Sequence, residues 1–170
     1  MKNVSKMSAQ DLVLKLAELK EQMADDLKYR DEMERKYNSA EDKATASGRY
    51  DLSSATNDLI DSYYESLVDA NEHLSATKKE LNSLLEQIKN MDLSKIRECV
   101  VLCQKKIEAS QKRIADFEVM KRMRESKKDV RKLDRLIGIE KDIVNMTSWQ
   151  LGIFNEALGK MIGVIENEAD

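Results

Sequence analysis

Apolar side chains recur along this chain in steps of three and four residues. That spacing keeps them on one face of an α-helix, and an unbroken series forms a seam for a neighbouring helix. The first series runs Leu12, Leu16, Leu19 and Met23, and resumes at Met33, Tyr37, Ala40 and Ala44. Ser8 is a suitable N-cap, and Asp11 sits in the first turn, where a carboxylate satisfies exposed N–H groups and complements the helix dipole. Residues 1–7 read as a flexible tail. Asp26 and Arg30 occupy seam positions four residues apart. Their spacing suits a mutual pair, a polar layer that fixes register at some cost in stability.

Gly48 ends that series as a C-cap, and Asp51, Ser53 and Ser54 offer caps for the next helix. The second series is the cleanest in the chain: Tyr63, Leu67, Ala70, Leu74, Thr77, Leu81, Leu84, Ile88 and Met91. A break follows at Asn90–Asp92, with Asp92 or Ser94 as the next cap. The third series runs Ile96, Cys99 or Val100, Cys103, Ile107, Ser110, Ile114 and Phe117. Continued in phase, it lands on Lys121, Arg124, Lys128 and Arg131, while apolar residues resume one position off at Met120, Met123, Val130, Leu133 and Ile137. A seam that jumps phase needs a distorted coil or a chain reversal. The polar stretch Glu125–Asp129 suits a reversal near Ser126, although it has neither Gly nor Pro.

The last segment carries two stripes. One is Leu133, Ile137, Val144, Thr147, Leu151, Phe154, Leu158, Met161 and Ile165; the other is Ile139, Ile143, Met146, Ile153, Ala157 and Val164. Two stripes make a face wide enough for more than one neighbour. Gly152, Gly159 and Gly163 lie within it and suggest close helix approach or local flexibility.

Composition narrows the reading to one class. The chain has no proline and five glycines in 170 residues, so few turns are available. Charged residues make up 36% and aromatics 5%, a balance that suits long helices with thin aliphatic seams. The expected fold is all-α: long antiparallel helices with heptad seams, as a four-helix bundle or paired helical hairpins. The helices would hold roughly 32–40 residues, about 50–60 Å each. Turns are expected near 48–52, 90–93 and 125–129, within one elongated domain over 8–170. Thin seams of this kind often need another chain, so a homo-oligomer or hetero-assembly is expected.

Charge is unevenly spread although the total is only −3. Residues 49–91 are net −4 and residues 92–134 are net +5. The segment Lys121–Arg135 sets eight cations against three acids. Its candidate basic patch is Lys121, Arg122, Arg124, Lys127, Lys128, Arg131 and Lys132. Clustered at one end of a rod, they suit phosphates of nucleic acid or anionic lipid. Nucleic acid is the less favoured partner, because no aromatic is interleaved for base stacking.

Candidate chemistry is sparse. The single histidine, His73, sits beside the second seam, with no second histidine for a Glu-x-x-His metal pair. Cys99 and Cys103 share a helical face, but two thiolates make only half a tetrahedral zinc site. They read as small apolar seam residues. No phosphate-cradling glycine loop occurs. The expected function is therefore non-enzymatic, with no cofactor or metal: a helical adaptor or structural subunit that binds a protein partner through exposed apolar helix faces. Met146, Leu151, Phe154 and Leu158 are the candidate partner-binding residues. The alternative is binding of nucleic acid or anionic membrane by Lys121–Arg135. No apolar run is long enough to span a bilayer and no secretory signal is evident, so a cytoplasmic protein is expected, with secretion lacking a cleaved signal left open.

Overall fold

Ser8 opens the first helix as expected. Its Oγ accepts from the Asp11 backbone N–H at 3.1 Å, and the Asp11 carboxylate accepts from the Ser8 N–H at 3.1 Å and from its hydroxyl at 2.8 Å. Reciprocal bonds of this kind satisfy donors that a helix start leaves open. The computed structural model describes residues 7–46, 54–124 and 126–167. The expected turn at 48–52, most of the expected tail, and the side chains beyond Lys160 lie outside the described residues.

The described residues form four helices and no strand: α1 Ala9–Ala46, α2 Ser54–Lys89, α3 Leu93–Arg122 and α4 Lys127–Asn167. The all-α class and the long helices agree with the apolar pattern. Asp92 is the N-cap of α3, its side chain accepting from the Ser94 N–H at 3.0 Å, so the expected break at 90–93 is present.

The chain divides into two compact units. One holds Glu18–Ser83, the greater part of α1 and α2. Here Thr77 Oγ1 donates to Asp26 Oδ2 at 2.6 Å, and the Tyr37 and Tyr64 rings lie 5.9 Å apart. These two contacts pair rising numbers on one helix with falling numbers on the other, so the pair is an antiparallel hairpin. Met33, Ala70, Leu74, Thr77 and Leu81 are buried in it. The polar layer is present, but its partners differ from those expected. Asp26 bonds Thr77 across the hairpin, while Arg30 pairs with its neighbour Asp31. A hydroxyl opposite Asp26 satisfies the carboxylate without bending Arg30 back along its own helix.

The other unit holds the first residues through Ala17 and everything from Leu84 onward. Segments of all four helices supply its buried side chains: Leu12 and Leu16 from α1, Leu84 and Ile88 from α2, Ile96, Cys99 and Cys103 from α3, and Thr147, Gln150, Phe154 and Ala157 from α4. The third seam thus runs through Cys99 rather than Val100. Gln150 Nε2 donates to the Val13 carbonyl at 2.7 Å, tying α4 to the start of α1. Beyond this core, α3 and α4 continue together as an antiparallel hairpin. Arg113 forks onto Glu140 at 2.7 and 3.0 Å, and Lys121 meets Asp134 at 2.6 Å.

Gly152 and Gly159 of α4 do not mark close helix approach, and the surroundings of Gly163 lie outside the described residues. A Cβ built at Gly152 or Gly159 meets nothing within 4 Å. The expectation of a small-residue contact at these two positions is therefore corrected: open space surrounds them.

Candidate functional site

The α3–α4 reversal is made without glycine or proline. The last turn of α3 tightens, with the Met123 N–H donating to the Met120 carbonyl at 3.2 Å and the Arg124 N–H to the Lys121 carbonyl at 3.3 Å. Three-residue spacing of this kind is a common way to close a helix. Met123 keeps a right-handed backbone, φ −91° and ψ −2°, which any residue adopts without strain. Three residues on, the Ser126 carbonyl accepts from the Val130 N–H at 3.1 Å and starts α4. Polar residues that need no burial are thus sufficient to turn the chain here.

This turn gathers the whole basic patch. Lys121 and Arg122 lie in the last turn of α3, where the negative end of the helix dipole favours them. Lys127 and Lys128 open α4, and Arg131 and Lys132 follow one turn later. Cations at a helix start oppose the positive end of its dipole, and Asp129 is the acidic residue of that first turn. Lys121 is partly sheltered and salt-bridged; hydrogen bonding and charge from Asp134 raise its ammonium above the usual lysine range. Arg122, Arg124, Lys127, Lys128, Arg131 and Lys132 are exposed and form no ion pair among the described residues.

Three apolar side chains stand at the end of α3, beside these charges. Val119 is 50% exposed, Met120 48% and Met123 76%. The shifted seam that begins at Met120 and Met123 is therefore not buried there. Burial starts only on α4, with Val130 and Leu133 half-buried and Ile137 buried. The reason is geometric. Lys121 meets Asp134 of α4 at 2.6 Å, so α4 runs beside the end of α3, and the exposed Val119, Met120 and Met123 lie off that contact.

The candidate partner-binding residues of α4 fare differently. Phe154 is fully buried, with 0% exposure, and belongs to the chain's own core. It is not part of an exposed face, which corrects that expectation for this residue. Met146, Leu151 and Leu158 are half-buried. Ile139, from the second stripe, is exposed.

Two buried polar atoms beside Phe154 carry no hydrogen bond among the described residues: Thr147 Oγ1 and Gln150 Oε1. The apolar pattern does not flag Gln150, because the glutamine side chain reads as a surface residue. Its burial is visible only once α1 supplies a carbonyl for its amide.

The remaining candidate residues offer little chemistry. His73 is exposed on α2. Cys99 and Cys103 are free and fully buried. Burial pushes each thiol up to about 11, and the neighbouring Cys103 adds to the effect on Cys99. Thiols held protonated in this way are poor nucleophiles and poor metal ligands at neutral pH. No group of three or more His, Cys, Asp or Glu among the described residues is placed to hold a metal ion. An open groove of about 400 Å³ in the α1–α2 hairpin is lined in part by Arg35, Lys36, Lys43 and Tyr63. Lys36 there is bound to Glu32 at 2.7 Å, so its charge is already answered.

No helix among the described residues is long and apolar enough to cross a membrane. Comparison with known proteins leaves the reading to geometry alone, since no family model, no curated protein and no solved structure matches the chain.

Proposed function

We propose that this chain is a non-enzymatic helical docking subunit that engages an anionic surface through the α3–α4 apex. The observation that carries the reading is unanswered charge. Arg122, Arg124, Lys127, Lys128, Arg131 and Lys132 have no ionic partner among the described residues. Four of them crowd the first turns of α4, where stability alone would favour Asp or Glu. An external anion relieves both the repulsion among the cations and their conflict with the helix dipole. The buried Phe154 supports the same choice, because the strongest apolar anchor of α4 is already used inside the chain.

The test is retention of the full chain on phosphocellulose. A protein of net charge −3 has no bulk reason to bind there. The expected result is retention at low salt and release as salt screens the contact. Lys127→Glu/Lys128→Glu/Arg131→Glu passes through unretained. Flow-through of the wild type, or equal retention of the reversed variant, contradicts the proposal.

A second reading, an adaptor or oligomer built on an apolar face, is favoured by one feature. Exposed Ile139 and half-buried Ile143, Met146 and Ile153 lie on one stripe of α4. Sedimentation equilibrium decides whether it holds for a second copy of this chain. An oligomer that Ile139→Asp converts to monomer supports it, and a monomer in both cases removes it.

A further inference from the structure

We infer that the anionic surface is a lipid bilayer, and that Met120 and Met123 enter its interfacial layer while the cations around them hold the headgroups. The inference rests on the docking reading above and names its partner. Its basis is the juxtaposition of bare apolar tips and bare cations at one apex. Among the described residues, Met123 is the most exposed of the large apolar side chains, at 76%. Met120 and Val119 stand beside it in sequence, each about half exposed. Arg122 and Arg124 flank Met123 directly, and Lys127, Lys128, Arg131 and Lys132 follow across the turn.

A bilayer interface offers what this surface lacks on both counts. Acyl chains below the headgroups accept unbranched, flexible thioether side chains, and anionic headgroups accept Lys and Arg. Long basic side chains bury their methylene stems at that boundary and keep the charge at headgroup level. Nucleic acid answers only half of the surface. Its phosphates match the cations, but its apolar parts are stacked bases, which aromatic side chains recognise. The segment Val119–Arg135 contains no aromatic residue. Nor does the basic apex present one continuous helix to lie in a groove, because the chain reverses between Arg122 and Lys127.

The attachment is peripheral and reversible. A few cations and a few inserted apolar side chains give binding that either element alone supports poorly. No described helix spans a bilayer, so the apex would touch one leaflet only.

The experiment is co-sedimentation of the full chain with vesicles of phosphatidylcholine containing 30% phosphatidylserine, against vesicles of phosphatidylcholine alone. Met120→Ser/Met123→Ser and Lys127→Glu/Lys128→Glu/Arg131→Glu are compared with wild type, after circular dichroism shows that each keeps its helices. The expected result is binding to the anionic vesicles only. The methionine variant binds them at least roughly tenfold more weakly, as removal of inserted apolar area requires, yet keeps its retention on phosphocellulose. The charge-reversed variant loses both. Vesicle binding indifferent to the methionines overturns the insertion and leaves the docking reading standing. Retention on phosphocellulose with no vesicle binding overturns the lipid assignment. Salt-sensitive binding of duplex DNA or RNA in its place then assigns nucleic acid, and its absence assigns an acidic protein. Failure on both phosphocellulose and vesicles removes the docking reading itself.

Discussion

The two ends of the α3–α4 hairpin are built from the same kinds of residue in opposite ways. At one end, Ile96, Cys99, Cys103, Phe154 and Ala157 are buried with the start of α1 and the end of α2. Even two polar side chains, Thr147 and Gln150, are taken inside, each with an atom left unbonded. At the other end, apolar Met120 and Met123 are exposed, and the cations other than Lys121 have no ionic partner among the described residues. Between them, the fork of Arg113 onto Glu140 joins the two helices, with the buried Ser110 hydroxyl 3.0 Å from Arg113. The contrast separates two duties. Burial is concentrated where all four helices contribute, and the apex leaves apolar and basic side chains exposed, as the proposed docking role requires.

Substitutions should separate those duties. The largest effect belongs to Phe154→Ala, which removes a fully buried ring and costs about 3–5 kcal/mol in urea unfolding. Binding through the apex persists wherever this variant remains folded.

Alkaline pH attacks the same core more gently. The Cys99 and Cys103 thiols, ordinarily ionising near 9.0, are pushed by burial to about 11. Because the folded value lies above the unfolded one, their contribution is intact below pH 9 and is lost as pH rises from 9 through 11. The loss is at most about 2–3 kcal/mol for the first thiol to ionise. Urea midpoints across that range should fall more steeply for wild type than for Cys99→Ala/Cys103→Ala. Iodoacetamide should label both thiols slowly until the core opens.

Two changes should strengthen the buried end. Thr147→Val replaces an unbonded buried hydroxyl with a methyl group of similar size, for a gain of about 1 kcal/mol. Gly152→Ala meets no neighbour and gains about 0.5–1 kcal/mol of helix propensity. A loss of stability in either variant would mean that these sites are held for a reason other than packing.

The smallest effect on stability belongs to the apex. Lys127→Glu/Lys128→Glu should change the unfolding free energy by less than about 0.5 kcal/mol, with any gain coming from a better match to the α4 dipole. The same variant should show the largest loss of binding to an anionic matrix.

Much of the fold was legible in the chain. Every residue of the second seam from Ala70 to Met91 is buried, because an uninterrupted three-and-four repeat leaves a helix one apolar face to hide. Asp92 was readable as a cap, and Cys103 as a seam residue. The misreadings share a physical cause. Periodicity reports which residues of one helix share a face, not what stands opposite. It placed Met120 and Met123 on a seam, although both are exposed beside the turn. It placed Phe154 on a shared wide face without showing that α1 and α2 also contribute to that core. It passed over Gln150, whose amide nitrogen donates to the Val13 carbonyl, 137 residues away in sequence. Asp26 likewise found Thr77 across the hairpin rather than Arg30 on its own helix. The basic patch, in contrast, was local in sequence and is gathered by one turn.

The most direct test of this division is hydrogen exchange of the full chain with and without phosphatidylserine-containing vesicles. Slowed exchange confined to residues 119–132, with the amides around Phe154 and Gln150 unchanged, is the result predicted. Protection that appears along α4 from Met146 to Leu158, with the apex unaffected, would contradict it and return the binding surface to the apolar face.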